Sequence, residues 1–338
     1  MLAMEKCAHE KRKGIRMSSG MEKKSLQTLV PQYKILSDSL LVLLARKMVK
    51  KFKWEKSIRK FMEKMLVKAC GSSGNIVHMV LDSGCRFEFP AKDRVWRRFV
   101  SRNRYSFEAD LYYVLDSFRG MSCSFFDVGS NYGYWSVIAL HMGWKNVTAV
   151  EASSSNFFWL HRNARLNGEQ IIALHRAIYS RDGQKVGFSG EAEHDQRHIT
   201  TQQKAAEFVE TITLDTLVSR YAPEGPVVIK LDVEGAEILA LQGARELLLH
   251  RDVLLAYEDL PRDASHAPSR FILQHPDWRV YAIVHERDDI MKHDMKLYRA
   301  RNIDDVERLK ELKFSKNFYA TSSRSSFHES LDRMALNI

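Results

Sequence analysis

The stretch that most restricts how this chain can fold is SFFDVGSNYGYWS, residues 124–136 of 338. Ser124 to Asp127 form a short apolar run closed by an acid, which is how a buried parallel strand ends. Gly129 and Gly133 then space a turn, after which Trp135, Ile138 and Met142 recur at helical intervals. The order is strand, tight loop, helix. Glycine lets such a loop approach a ligand closely, and the helix start offers unpaired N–H donors.

A dinucleotide fingerprint would read G-x-G-x-x-G, whereas the spacing here is Asp127-x-Gly129-x-Asn131-x-Gly133, with an acid just ahead of the first glycine. That acid would repel a pyrophosphate and suits a ligand carrying an ammonium and a sulfonium, so the loop reads as a site for S-adenosylmethionine rather than NAD. Glu151 closes the next apolar run about twenty residues on, the distance at which an acid meets ribose hydroxyls in nucleotide-binding alternating folds. Taken singly, Asp127 and Glu151 could be ordinary strand-end carboxylates. Each follows a hydrophobic strand, and together they favour the ligand.

The net charge of +10 is unevenly placed: residues 1–68 hold 18 Lys and Arg against 6 Asp and Glu, which leaves the remainder near neutral. Residues 1–24 are Lys-, Glu- and Ser-rich and read as disordered. Over residues 35–61, Leu36, Leu40, Leu44, Met48 and Phe52 recur at four-residue steps beside a crowd of lysines. This predicts a basic amphipathic helix, fit either to lie on an anionic membrane surface or to dock on the domain with its lysines in water. Cys7, Cys70, Cys85 and Cys123 have no paired short spacing and read as reduced thiols. The chain has no apolar run long enough for a membrane span and no signal-peptide core, so a cytoplasmic location is expected, with the basic arm allowing a peripheral place at the inner face of the membrane.

Residues 71–74 read as a linker, and residues 76–90 as a hairpin turning at Asp82, Ser83 and Gly84. An apolar helix is expected over 107–118, ended by Gly120, and another over 153–167 with serine caps. Residues 185–188 and 208–212 are expected to pair as added antiparallel strands around a polar loop or lid, 189–207. His194 and His198 lie in that lid four residues apart, a spacing that could hold a metal on a helix, but they lack a third ligand motif, so no metal is expected and His194 is read as touching substrate. The second informative stretch is VVIKLDVEGAE: residues 227–231 form a buried strand whose alternation puts Lys230 and Asp232 on one face, at the carboxyl end where open alternating sheets place ligands. A helix over 234–250 and strands at 253–257, 279–285 and 296–299 complete the alternation. The fold class expected is α/β, a doubly wound, mainly parallel sheet with an antiparallel addition and a basic helical N-terminal extension.

These residues resemble the FkbM family of S-adenosylmethionine-dependent methyltransferases. The resemblance rests on FFDVGSNYGYWS, AVEA at 149–152, the order LNG, AIYSRDG and TITLDTL, and IKLDVEGAE. It covers residues 105–258, and more loosely the chain to 299. It implies a Rossmann-like class I domain with a seven-stranded sheet whose last hairpin is antiparallel, and O-methylation of a hydroxyl, often on a sugar of a glycan or on a small natural product. The cofactor site it implies comprises Asp127, Gly129, Ser130, Asn131 and Gly133 around the methionine part, Glu151 on the ribose, Ala177 near the adenine and Asp232 close to the sulfonium. Asp232 is expected to accept the hydroxyl proton, assisted by Lys230 or His194. The expected organisation is an N-terminal arm at 1–70, a linker and hairpin at 71–104, the methyltransferase domain at 105–300 and a tail at 301–338. Two other readings compete: a membrane-docked cofactor-binding protein without catalysis, and a nucleic-acid methyltransferase. Against the second, the catalytic region is near neutral and has no proline-proline-aromatic motif to hold a base.

Overall fold

The computed structural model describes residues 32–36, 76–96, 98–101, 107–189, 198–200, 207–259, 265–285, 295–312 and 314–337. In chain order the first part contains strands β1 (Tyr33–Leu36), β2 (Ile76–Leu81) and β3 (Arg86–Pro90), then helices α1 (Arg98–Ser101) and α2 (Ala109–Asp116). The alternating core follows: β4 (Ser124–Val128), α3 (Tyr134–His141), β5 (Asn146–Glu151), α4 (Ser154–Leu166) and β6 (Ile171–His175). Next come short strands β7 (Ala177–Ile178), β8 (Lys185–Ser189), β9 (His198–Thr200) and β10 (Glu207–Ile212), then α5 (Leu214–Tyr221), β11 (Val227–Leu231), α6 (Glu237–Gln242), α7 (Arg245–His250) and β12 (Val253–Glu258). The last part is α8 (Ala267–Leu273), β13 (Trp278–His285), β14 (Met295–Ala300), α9 (Ile303–Glu311), β15 (Phe314–Ser322), α10 (His328–Met334) and β16 (Ala335–Asn337).

The principal sheet has the order β16-β14-β13-β15-β12-β11-β4-β5-β6. From β6 to β12 all neighbours are parallel, and β15 runs antiparallel between β12 and β13. The seven strands from β6 to β13 form the expected sheet, and β14 and β16 extend its edge. Strands β4, β11 and β12 are buried along their whole length, as parallel strands covered on both faces must be. Alternation sends Phe125 into the layer with α3, α4 and the small sheet, and Phe126 into the opposite layer with α5 to α9. The chain moves outward from β4 to β6 and returns to place β11 on the other side of β4, creating the switch-point crevice at which such sheets bind ligands.

Four expectations change. The strand that completes the sheet between β12 and β13 comes from the C-terminal residues 314–322, expected as tail; its inner residues are buried, and Tyr319 and Asn317 both donate to Asp110 of α2. The expected helix over 234–250 is two helices, broken at Gly243, whose carbonyl accepts from the Asp215 amide at 3.0 Å and where a Cβ would lie 2.4 Å from the Tyr179 carbonyl oxygen. Ile35 and Leu36, expected to begin a helix, lie in β1, where Tyr33 and Ile35 turn inward and Lys34 outward with strand periodicity. The remaining predicted helix, to residue 61, lies outside the described residues, as does the 71–74 linker. Finally, the predicted hairpin does form, but β1 joins it as a third strand, and this small sheet shares one hydrophobic core with α3 and α4. The predicted pairing of 185–188 with 208–212 is present as β8 against β10.

Candidate active site

Two loops flank the switch point. In the first, following β4, Asp127 is fully buried and its Oδ2 accepts from the Ser136 amide at 2.9 Å and the Ser136 hydroxyl at 2.6 Å. Burial pushes its carboxyl above the ordinary range, opposed by Lys230 and by these hydrogen bonds. Gly129 has φ +72°, and a Cβ on it would lie 1.7 Å from the Asp232 carbonyl oxygen. Only glycine permits this close approach of the two loops. Asn131 adopts φ +53°, a left-handed conformation that asparagine tolerates better than most residues. Its amide donates to Glu151 Oε2 at 2.8 Å, and the Ser153 amide donates to Glu151 Oε1 at 2.9 Å. Burial raises the Glu151 carboxyl to about 7 despite these two donors. Ala177 is buried in a small apolar group with Val186 and Val209, packed by Ala152 and Tyr179.

In the second loop, Lys230 and Asp232 share a face as alternation predicts, joined by a 2.8 Å bond from Nζ to Oδ2. Burial works against the Lys230 charge, but Asp232, Glu108 and Asp127 outweigh it and hold the ammonium above its usual range. Sequence reasoning missed two members of this group. Glu108, at the start of α2, and Glu258, at the end of β12, each bring a carboxylate oxygen within 4.8 Å of one on Asp232. Glu108 has φ +49° and accepts from the Trp135 indole N–H at 2.6 Å through Oε2. Burial pushes its carboxyl to about 7; Lys230 opposes the shift, and Asp232 and Asp110 add to it. The only sequence signal for Glu108 is an acid ahead of an apolar helix, which reads equally well as a charge complementing the helix dipole. The carboxylate spacing would admit a divalent ion, and the Lys230 ammonium, bonded to Asp232 and facing Glu108, supplies positive charge to those two acids.

The structure therefore brings Asp127, Gly129, Ser130, Asn131, Gly133, Glu151, Lys230 and Asp232 to the two loops around one crevice. His194 lies outside the described residues; for His198 the backbone is in β9, a strand paired with β8 rather than a helix, so the helical metal spacing does not apply.

An open sheet of this strand order with an acid-and-glycine loop at its switch point has the α/β architecture expected of a class I methyltransferase. Residues 127–282 match the family described as Methyltransferase FkbM domain. No curated protein matches the sequence. Among solved structures, the chain is similar to methyltransferase FkbM from Methylobacillus flagellatus KT at 17% identity and TM-score 0.37, covering 56% of this chain and 54% of that one, about half its length. It is similar to the N-terminal domain of human METTL16 in complex with SAH at 12% identity and TM-score 0.35, covering 72% and 77%. A third likeness is to a putative RNA methyltransferase from Pyrococcus horikoshii, at 13% identity and TM-score 0.32, covering 65% and 87%.

The loops fit the cofactor by their unfilled valences. Among the described residues, Asp127 Oδ1 and Ser130 Oγ are buried without a hydrogen-bond partner. Buried polar atoms left open in this way are costly unless a ligand meets them.

Proposed function

We propose that this enzyme methylates a hydroxyl group, on a sugar of a glycan or on a small natural product. The observation that carries the reading is the group of Glu108, Asp232 and Glu258, with Lys230 bonded to Asp232, at the carboxyl ends of β11 and β12 beside the first loop. S-adenosylmethionine supplies, when bound, a methyl already activated for attack. The chain must then hold the acceptor oxygen in line and take its proton, and orientation contributes most of the rate. Asp127, Ser130 and Asn131 would hold the methionine end and Glu151 the ribose, through a carboxylate already fixed by two amides. Asp232 has Oδ2 engaged by Lys230, so it serves to position that ammonium and the acceptor. Glu108 is anchored through one oxygen by Trp135, and its other oxygen is the proton acceptor. Glu108 would take the proton of the acceptor hydroxyl and release it later to water.

The near-neutral catalytic region disfavours a nucleic-acid acceptor. The basic surplus of residues 1–68 supports contact with an anionic membrane face and a cytoplasmic location. Among the described residues no helix is long and apolar enough to cross a membrane. The test is thermal unfolding with and without S-adenosylhomocysteine, in the wild type and in Glu151→Ala, followed by screening tritiated methyl transfer to glycosides and to RNA. Ligand at a hundred times its Kd adds about 2.7 kcal/mol of stability. A shift lost in the variant, with glycoside labelling, supports the reading; labelling of RNA alone overturns the choice of acceptor.

A further inference from the structure

The cofactor loop is held from outside the family-matched residues. Tyr132, in the middle of the loop, is 5% exposed and donates its hydroxyl to Asp93 Oδ2 at 3.0 Å. Asp93 is itself 6% exposed, and its other oxygen accepts from the amides of Val95 and Trp96 at 2.8 and 3.0 Å. The Trp96 indole N–H reaches Asn131 Oδ1 at 3.4 Å, and its ring packs against Tyr132 and Tyr134. The Tyr132 carbonyl accepts from Asn163 Nδ2 at 2.8 Å, and Asn163 also pairs with both backbone groups of Glu88 in β3. Asn131, whose amide fixes Glu151, and Tyr132 beside it are therefore clamped by the turn after β3, which precedes the matched residues 127–282.

We infer that Asp93 and Trp96 are positioning residues for S-adenosylmethionine: through Tyr132 and Asn131 they hold the loop and Glu151 in the geometry that receives the cofactor. The inference rests on the cofactor site assigned above. A left-handed backbone at Asn131 is otherwise under-determined, because a short loop rich in glycine has many alternatives of similar energy. Burying the Tyr132–Asp93 bond selects one of them before the ligand arrives, so its loss raises the Kd more than it disturbs the fold.

The experiment is isothermal titration of the full chain with S-adenosylhomocysteine, well below the unfolding temperature. The variants are Tyr132→Phe, Asp93→Ala, the double variant, Trp96→Phe and a control, Val77→Ala, which removes buried volume from the same small sheet without a polar link to the loop. Tyr132→Phe is expected to weaken binding about tenfold, and the double variant no more than the worse single one, because both remove the same bond. Trp96→Phe weakens it about threefold, in keeping with its longer bond. Val77→Ala lowers Tm but leaves the Kd within about twofold. Wild-type affinity in Tyr132→Phe overturns the inference, as does equal weakening by Val77→Ala, which would make the effect one of general stability. Tyr132→Phe decides the matter should Asp93→Ala not fold. Failure of the wild type itself to bind overturns the cofactor site as well, which separates the two ideas.

Discussion

Glu151 and Glu108 stand on the two sides of one crevice, and burial pushes both carboxyls to about 7. Their anchoring differs. Glu151 has an amide on each oxygen, from Asn131 and Ser153, and belongs to a loop defined by its own strand end. Glu108 is held at one oxygen, by an indole from another helix, and faces Lys230 and Asp232 of β11 and its loop, Glu258 of β12, Asp110 of its own helix and Tyr319 of β15. An equal shift in the same residue type therefore serves two purposes. A carboxylate fixed at both oxygens is a binding group, whereas one fixed at a single oxygen and poised near neutrality is suited to receive a proton.

The largest way to break this comparison is Glu108→Gln, which keeps an acceptor for Trp135 but cannot take a proton. Turnover with a glycoside found by screening is expected to fall about 10²- to 10⁴-fold while the Kd for S-adenosylhomocysteine stays within about threefold. Turnover near the wild-type rate would return the role to Asp232. Next in size is Gly129→Ala, which strikes the contact joining the two sides. A methyl group overlapping the Asp232 carbonyl, on a backbone at φ +72°, should cost about 3 kcal/mol in urea unfolding and remove ligand binding. Comparable in size is a dependence on pH. The folded-state value of Glu151 lies above its ordinary value of 4.5, so the stability it confers is complete below that pH and lost as pH rises through about 7. Denaturant titrations of the ligand-free protein between pH 5 and 8 should show a decline of at most roughly 3 kcal/mol from this group, and the total decline should be smaller by that share in Glu151→Gln, the part from Glu108 remaining. The smallest effect expected is on ligand affinity: Glu151→Gln should weaken S-adenosylhomocysteine binding by about tenfold, or 1.4 kcal/mol, and leave the residual turnover at saturating cofactor almost unchanged. A larger fall in turnover than in affinity would show that the two carboxylates are not divided in this way.

The Glu151 side was readable in the sequence, since an acid closing a strand twenty residues after a glycine loop is a local pattern repeated in order along the chain. Lys230 and Asp232 were readable for the same reason, because alternation along one strand puts them together without reference to any other element. The Glu108 side was not. Its members come from α2, the loop after β11 and the end of β12, and its left-handed backbone is one that glutamate does not announce. The clamp on Tyr132 was equally hidden, since Asp93 sits in a turn with no periodicity, 39 residues before its partner.

By itself, then, the sequence determined the alternation of strands and helices, the acid-and-glycine loop and the charged end of β11, all of which arise from periodicity and backbone preference over a few neighbouring residues. Tertiary structure alone decided that residues 314–322 enter the sheet between β12 and β13, that the turn after β3 holds Asn131 and Tyr132, and that Glu108 meets Asp232. Those outcomes depend on which buried surfaces and unpaired polar groups find partners across long stretches of chain, and burial is a property of the packed whole rather than of any segment.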